Sequence, residues 1–303
     1  MRLTILGCHS AAPRVGYRTT SQVLEIKNHI FLIDCGEGTQ VELRRRKIKF
    51  SKIQHIFISH LHGDHVFGLS GLVSTFNLLN RETDLHIYAP KGLKEVITLQ
   101  MKLAKSWTTY DIVFHELNSK SSELIFEDEK VEVYTVPLEH RVYTNGFLFK
   151  EKLGERKLNI DLAVKHNIDV AYYRKLKQGF DVPDSKGNTI KNEVLTSDPK
   201  PPKSYAFCSD TMYKPAIVNL IENVNGLYHE STFLDINIDL AKKTKHSTAR
   251  QAGLIAKRAN VGLLVLGHYS SRYDSFMDFK KEAETEFENV VLAEDGKTID
   301  FET

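Results

Sequence analysis

The chain has 303 residues, enough for one large domain or two small ones, and 41% of them are apolar, so a sizeable core is available. A formal net charge of +2 falls well short of the signature of a strongly basic nucleic-acid binder, so any basic surface must be local. No apolar run approaches the ~20 residues of a membrane span. Three scattered cysteines, Cys8, Cys35 and Cys208, lack metal-type spacing and point to reduced thiols in a cytoplasmic protein.

Residues 3–6 read as a first strand, not as a signal peptide, and stop at Gly7. A loop with Pro13, Gly16 and Arg18 follows. Residues 23–26 and 30–34 form a strand pair, and Cys35-Gly36-Glu37-Gly38 turns into a helix over 39–46. Residues 53–59 read as a buried strand that delivers His60-Leu61-His62-Gly63-Asp64-His65. A helix over 69–80, a strand over 85–88 closed by Ala89-Pro90, a helix over 93–106, and strands at 125–127 and 131–136 come next. Residues 150–203 differ in character: apolar density drops, and twelve Lys/Arg stand against eight Asp/Glu. Short helices are expected there at 160–165 and 170–177; a solvated or partly disordered loop is the competing reading. The apolar pattern resumes with a strand at 204–210, a helix at 213–221, a strand at 226–230, a helix at 247–259 and a strand at 262–266. A helix over 274–287 and a strand over 290–293 close the chain. Strands alternating with helices in both halves predict sheets flanked by helices.

The chemistry is densest at His60, His62, Asp64 and His65. Imidazole nitrogen and carboxylate oxygen suit zinc. His60 and His62 are two apart and face the same way on an extended backbone, while Asp64 and His65 follow where the chain turns into a helix. Two donors can serve one ion and two its neighbour, which points to a paired-metal hydrolase of phosphate esters or amides. Other candidate groups also close apolar strands: His140, Asp210, Glu230 and His268. Two ions that share a carboxylate need about seven donors, and His60, His62, Asp64, His65, His140, Asp210 and His268 supply that number. His9, His29, His55, His86, His115 and His166 read as surface or packing residues, as does His229.

These motifs resemble the ribonuclease Z family, the tRNA 3′-processing endonucleases of the metallo-β-lactamase superfamily, over nearly the whole length. The run His60 to His65 marks the superfamily alone. Asp34-Cys35-Gly36-Glu37-Gly38-Thr39-Gln40 resembles the family segment whose Asp supports the metal ligands. His229-Glu230-Ser231-Thr232-Phe233 resembles its His-Glu-Ala-Thr box, and His246-Ser247-Thr248 its His-Ser-Thr loop. Gly267-His268-Tyr269-Ser270-Ser271-Arg272-Tyr273 resembles its last metal motif.

The resemblance implies an α/β fold, the metallo-β-lactamase four-layer αββα sandwich, over residues 1–303, with a protruding polar arm at 150–203 that binds tRNA. It implies two Zn2+ per subunit. His60, His62 and His140 would hold one, Asp64, His65 and His268 the other, and Asp210 would bridge. Asp64 would also accept the proton of the attacking water, and Glu230 and His246 would place or donate a proton to the leaving 3′-oxygen. The substrate would be precursor tRNA, cut to leave a 3′-hydroxyl on the tRNA and a 5′-phosphate on the trailer. A cytoplasmic homodimer is implied, with one subunit's arm serving the other's active site and no membrane or DNA partner. Arg174, Lys175 and Lys177 in the arm, with Arg18 in the first loop, are the candidate tRNA contacts; such cations give affinity without reading bases.

The chain departs from the family in three places, one of them Cys208, which replaces the common small residue ahead of the bridging aspartate and reads as packing, not as a ligand. The Gly-Pro-rich arm segment is absent from 167–179, and the Pro-x-Lys-x-Arg-Asn loop is replaced by Pro13-Arg14-Val15-Gly16-Tyr17-Arg18-Thr19. The alternative within the fold is a small-molecule phosphodiesterase acting on cyclic nucleotides, for which an arm has no use. A non-catalytic nucleic-acid-binding or scaffold protein would be expected to show a broken ligand set, and none of the seven is missing.

Overall fold

The computed structural model describes residues 1–12 and 14–301. The first half runs β1 (Arg2–Gly7), β2 (Ser21–Ile26), β3 (His29–Ile33), α1 (Thr39–Arg45), β4 (Ile53–Phe57), α2 (Gly63–Val66), α3 (Leu69–Leu78), β5 (Leu85–Pro90), α4 (Leu93–Ala104) and β6 (Ile112–Leu117). Then come β7 (Leu124–Glu127), β8 (Val131–Pro137) and β9 (Asn145–Glu151). An inserted segment carries β10 (Lys157–Leu158), α5 (Ile160–Lys165), α6 (Tyr173–Lys177), β11 (Val182–Pro183), β12 (Thr189–Ile190), α7 (Asn192–Leu195) and β13 (Thr196–Ser197). The last part is β14 (Ser204–Cys208), β15 (Gly226–Glu230), α8 (Ile238–Thr244), α9 (Ala249–Arg258), β16 (Leu264–Gly267), α10 (Met277–Glu284), β17 (Val290–Leu292) and β18 (Thr298–Asp300).

Two seven-stranded sheets result, in the orders β18-β1-β2-β3-β4-β5-β6 and β17-β16-β15-β14-β9-β8-β7. Side-chain alternation sorts each strand between two layers. Phe31 and Ile33 of β3 join Phe147, Phe149, Phe207 and Tyr228 in the core between the sheets. Leu32, between them, packs instead with Leu43, Leu72, Phe76 and Ile97 of α1, α3 and α4. On the far side, Ala252, Ile255 and Ala256 of α9 and Phe279 of α10 cover the second sheet. The layers are therefore helix, sheet, sheet, helix, the αββα sandwich. β3 to β6 run parallel in one sheet and β14 to β17 in the other. Their carboxyl ends carry Asp34, His60, Asp210, Glu230 and His268, the position where parallel sheets place ligands.

Residues 151–202 form a second compact unit. It has its own small core of Ala163, Ile168, Leu176, Val182 and Leu195. The buried Asn192 amide donates to the carbonyls of Leu176 (2.7 Å) and Phe180 (3.0 Å), which ties its turns together. These contacts give the unit a packed interior of its own.

Several expected boundaries move for local reasons. The helix expected at 213–221 is a 3-10 segment, Pro215–Leu220. Pro215 disfavours helical φ/ψ at Lys214, which lies outside helical space (φ −131°, ψ 85°), so no helix starts at Tyr213. The helix expected from residue 247 starts at Ala249, because Thr248 and Gln251 form a reciprocal capping box. The helix expected from 274 starts at Met277, and Asp274 accepts from Arg14 instead.

Candidate metal centre

The seven donors expected from sequence converge at the ends of the parallel strands. One group is His60, His62, His140 and Asp210; the other is Asp64, His65 and His268. His60 Nε2 lies 2.9 Å from His62 Nδ1, and His140 Nε2 lies 3.3 Å from that same atom. Asp210 divides its oxygens between the groups. Its Oδ2 is 3.5 Å from His60 and 3.7 Å from His140, while its Oδ1 is 3.2 Å from His65 and 3.1 Å from His268. Asp64 Oδ2 is 3.3 Å from both His65 and His268, whose Nε2 atoms are 3.4 Å apart. A tetrahedral zinc ion with bonds of about 2.0–2.1 Å separates its donors by about 3.3–3.4 Å. The distances fit two such cages sharing one carboxylate.

The outer hydrogen bonds fix which nitrogen faces inward. Asp34 is wholly buried; its Oδ1 accepts Ser59 N–H at 2.7 Å, and its Oδ2 accepts the Ser59 hydroxyl at 2.8 Å and His65 Nδ1–H at 2.6 Å. The Ser59 oxygen then accepts from His60 Nδ1 at 3.0 Å. His140 Nδ1–H donates to the Lys245 carbonyl at 2.9 Å. His268 Nδ1–H donates to Thr232 Oγ1 at 2.9 Å, because that hydroxyl gives its proton to Glu230 at 2.5 Å. Each neutral ring is left with a bare Nε2 aimed at other bare nitrogens and carboxylates. Such a cluster calls for positive charge, and this is the chemistry of a divalent-metal site with its supporting shell in place. The charge around the ring shows in His65: burial pushes its pKa down, but Asp210, Asp64 and Asp34 together raise it well above its ordinary value.

The Asp34 segment also clamps the histidine loop. Cys35 N–H donates to the His65 carbonyl (2.7 Å) and Gly68 N–H to the Cys35 carbonyl (2.9 Å). A Cβ on Gly36 would come within 2.5 Å of the Asp64 carbonyl oxygen, so this close approach requires glycine.

Glu230 and His246 sit beside the second group. Glu230 is wholly buried and accepts four hydrogen bonds: from Thr211 N–H (2.8 Å), His246 Nδ1 (2.7 Å), Thr232 N–H (3.1 Å) and Thr232 Oγ1 (2.5 Å). With both oxygens engaged, it orients His246. Burial pushes the His246 imidazole down, but the Glu230 carboxylate overrides this and lifts it to about 9. His246, His62, Asp64, Asp210 and His268 line one cavity of about 410 Å³, together with Ser10 to Ala12 and Arg141. The other two imidazoles of that lining, His62 and His268, belong to the candidate donor groups.

The same framework recurs in known proteins. The chain is 43% identical to ribonuclease Z of Bacteroides fragilis over 297 residues, 98% of each protein. It is 44% identical to ribonuclease Z of Cytophaga hutchinsonii, covering 98% of this chain and 95% of that one. The chain belongs to the ribonuclease Z family. The crystal structure of the short form of human tRNase Z matches all of both chains, with TM-score 0.72 and 28% identity. Residues 1–168 also match the family model described as Anti-Pycsar protein Apyc1. That match ends before Asp210, Glu230, His246 and His268.

The ribonuclease Z framework does not gather every residue singled out from sequence. Arg18 lies in a neighbouring cavity of about 340 Å³, where its Nε donates to the buried Glu42 at 3.3 Å. Arg174, Lys175 and Lys177 lie on α6 in the inserted unit, where Arg174 and Lys177 line a hollow with Arg156 and Lys157. Cys208 is core, as expected. His9 is buried beside the buried Cys8 and the half-buried Asp295 and packs edge-on against Tyr17. His55 stacks on His86, and His86 on His115, in a row across β4, β5 and β6. Sequence reasoning missed Ser59, Thr232 and Lys245 as supports, and Arg141 in the cavity wall. Position offered the only signal: each is adjacent to, or two residues from, a residue already singled out.

Proposed function

We propose that the chain is a zinc-dependent endoribonuclease that removes the 3′ trailer from precursor tRNA, leaving a 3′-hydroxyl on the tRNA and a 5′-phosphate on the trailer. One observation carries this reading: a seven-donor centre and the Glu230–Thr232–His246 group open on a single cavity, in a ribonuclease Z family chain. When bound, two zinc ions supply Lewis acidity, lowering the pKa of water toward about 7 and neutralising charge on phosphoryl oxygens. His60, His62 and His140 would hold one ion, Asp64, His65 and His268 the other, and Asp210 would be shared between them. Asp64 accepts the proton released by the attacking water. His246, kept protonated by Glu230, gives its proton to the departing ribose 3′-oxygen, which is a poor leaving group as an alkoxide.

Residues 151–202 serve as the tRNA-binding arm, with Arg174, Lys175 and Lys177 contacting phosphates. A small-molecule phosphodiesterase has no use for such a unit, and this weighs against a cyclic-nucleotide substrate. The working form is a cytoplasmic homodimer. Supporting this, α4 exposes an apolar stripe of Val96, Leu99 and Leu103 at helical spacing, and α3 and its flanks expose Phe67, Leu78 and Leu79.

Mapping the cut on precursor tRNAs with and without encoded CCA tests the reading. A single cut next to the discriminator nucleotide is expected, and deletion of residues 151–202 should abolish it. No cut at that position with the zinc-loaded protein would count against the proposal.

A further inference from the structure

Four arginines stand around the catalytic cavity and its neighbour, and three are already occupied. Arg14 donates to the carbonyls of Ser271 (3.2 Å) and Tyr273 (3.0 Å) and to Asp274 (2.9 Å). Arg18 donates to Glu42 (3.3 Å) and to the Tyr17 carbonyl (3.1 Å). Arg272 donates to Ser270 Oγ at 3.2 Å. Arg141 has no hydrogen bond or ion pair among the described residues. The nearest acid in sequence, Glu139, is taken by Lys245 at 3.5 Å.

The place of Arg141 is fixed although its side chain is free. It directly follows His140, whose ring is held by the Lys245 carbonyl on one side and faces the metal centre on the other. Its side chain lines the same cavity as His62 and His246, close enough for its charge to act on both rings. An unpaired guanidinium in a cavity of imidazoles and carboxylates suits an anion, and its planar fork suits phosphate oxygens. Arg141 follows His140, whose ring centroid is 4.8 Å from that of His246; with the scissile phosphate at the metal centre, the charge of Arg141 is available to a neighbouring phosphate of the chain.

We propose that Arg141 is a phosphate clamp. It binds the non-bridging oxygens of the phosphate one nucleotide upstream of the scissile one, on the leaving-group side, and so favours an RNA chain over an isolated phosphodiester. This rests on the assignment of His246 to the departing 3′-oxygen.

The test uses the zinc-loaded full-length protein, Arg141→Gln, Arg141→Lys and three substrates. For precursor tRNA, Arg141→Gln should lower kcat/KM about 10- to 100-fold, chiefly through KM, as for loss of a charged hydrogen bond. Arg141→Lys should recover part of that loss. For bis(p-nitrophenyl) phosphate, which has no upstream phosphate and whose p-nitrophenolate departs without needing a proton, Arg141→Gln should lose far less than it loses on precursor tRNA. A precursor carrying an uncharged methylphosphonate at the upstream linkage should cost the wild type the same factor and cost Arg141→Gln nothing more. Equal losses on both substrates, no loss on either, or additive losses with the methylphosphonate would overturn the clamp. If the wild type fails to cut the precursor, the parent reading fails and the clamp with it. If the wild type cuts and Arg141 has no effect, only the clamp fails.

Discussion

Asp34→Asn tests how the centre is held. The Asp34 carboxylate serves both ligand groups, directly through His65 and through Ser59 to His60. Asparagine keeps the shape but replaces one oxygen with an N–H2 group. If that nitrogen takes the Oδ1 place, it opposes Ser59 N–H, and two buried donors facing each other cost about 1–3 kcal/mol. If it takes the Oδ2 place, His65 Nδ1 must accept its proton, and the His65 proton moves to Nε2. That nitrogen then points N–H at the centre and cannot ligate. Loss of such a support typically costs about 10- to 100-fold in metal affinity, or roughly 1.4–2.8 kcal/mol. The loss should fall mainly on the Asp64, His65 and His268 group, with a smaller effect on the His60 group through Ser59. Stepwise zinc titration of the metal-free protein against a chromophoric chelator resolves the two affinities. Both steps at wild-type affinity, or the His60 group weakened more than the His65 group, would refute the argument.

Asp64→Ala should slow precursor cleavage by about 10²–10⁴-fold, the usual range for loss of a general base, with zinc content checked by elemental analysis. Wild-type rates with metal bound would exclude Asp64 as proton acceptor. His55 predicts a pH effect on stability. Burial, then His86 and His29, push its imidazole down to about 3, against about 6.5 in an unfolded chain. The unfolded state therefore binds the extra proton between these values; stability is unchanged above about pH 6.5 and falls as pH drops toward 3. Discounted for partial exposure, the loss at pH 5 is on the order of 1 kcal/mol. His55→Phe, which keeps a ring against Phe126 and gives up an Nδ1 that has no partner, should flatten part of that slope in urea midpoints. An unchanged slope would assign the acid sensitivity elsewhere. For the dimer, Leu99→Asp with Leu103→Asp should yield a folded monomer in sedimentation velocity. A wild type that already sediments as a monomer, or a double variant that stays dimeric, would rule out that face.

The sequence exposed the site better than its supports. The seven candidate donors are legible because their residue types are rare in such density, and because His60, His140, Asp210 and His268 follow apolar strands while Asp64 and His65 sit in the short helix that comes next. Ser59 and Thr232 carry no such mark, since their roles come from which hydroxyl proton points where, and that is decided by Asp34 and Glu230 from other strands. The inserted unit was legible as a change of composition and as two short helices, 160–165 and 170–177, which the structure forms as α5 and a 3-10 turn running into α6, but its core was not. Its core is five small or medium apolar side chains plus a buried Asn192 amide, too sparse to show periodicity. The strand β18 is equally silent: three residues pair with β1 from the other end of the chain, and nothing local announces that register.

The backbone bears a mark of the same chemistry. Asp34, Asp210 and His268 all lie in the left-handed region, with φ of 56°, 61° and 61°. Each follows directly or closely on a parallel strand that ends at the centre. That conformation costs a residue with a Cβ about 1–2 kcal/mol, and glycine would avoid it. Glycine has no carboxylate or imidazole, so the chain bears the cost where both the turn and the side chain are needed. Bonds to other strands hold the kinks. Asp34 N–H donates to the Phe57 carbonyl (2.8 Å) and His268 N–H to the Cys8 carbonyl (2.7 Å). Just past Asp210, Thr211 N–H is held by Glu230 at 2.8 Å. The same φ at Lys27 and Lys47 marks only ordinary turns. What separates the two cases is that strained side chains from both sheets aim at one point, and only the assembled sandwich brings them there.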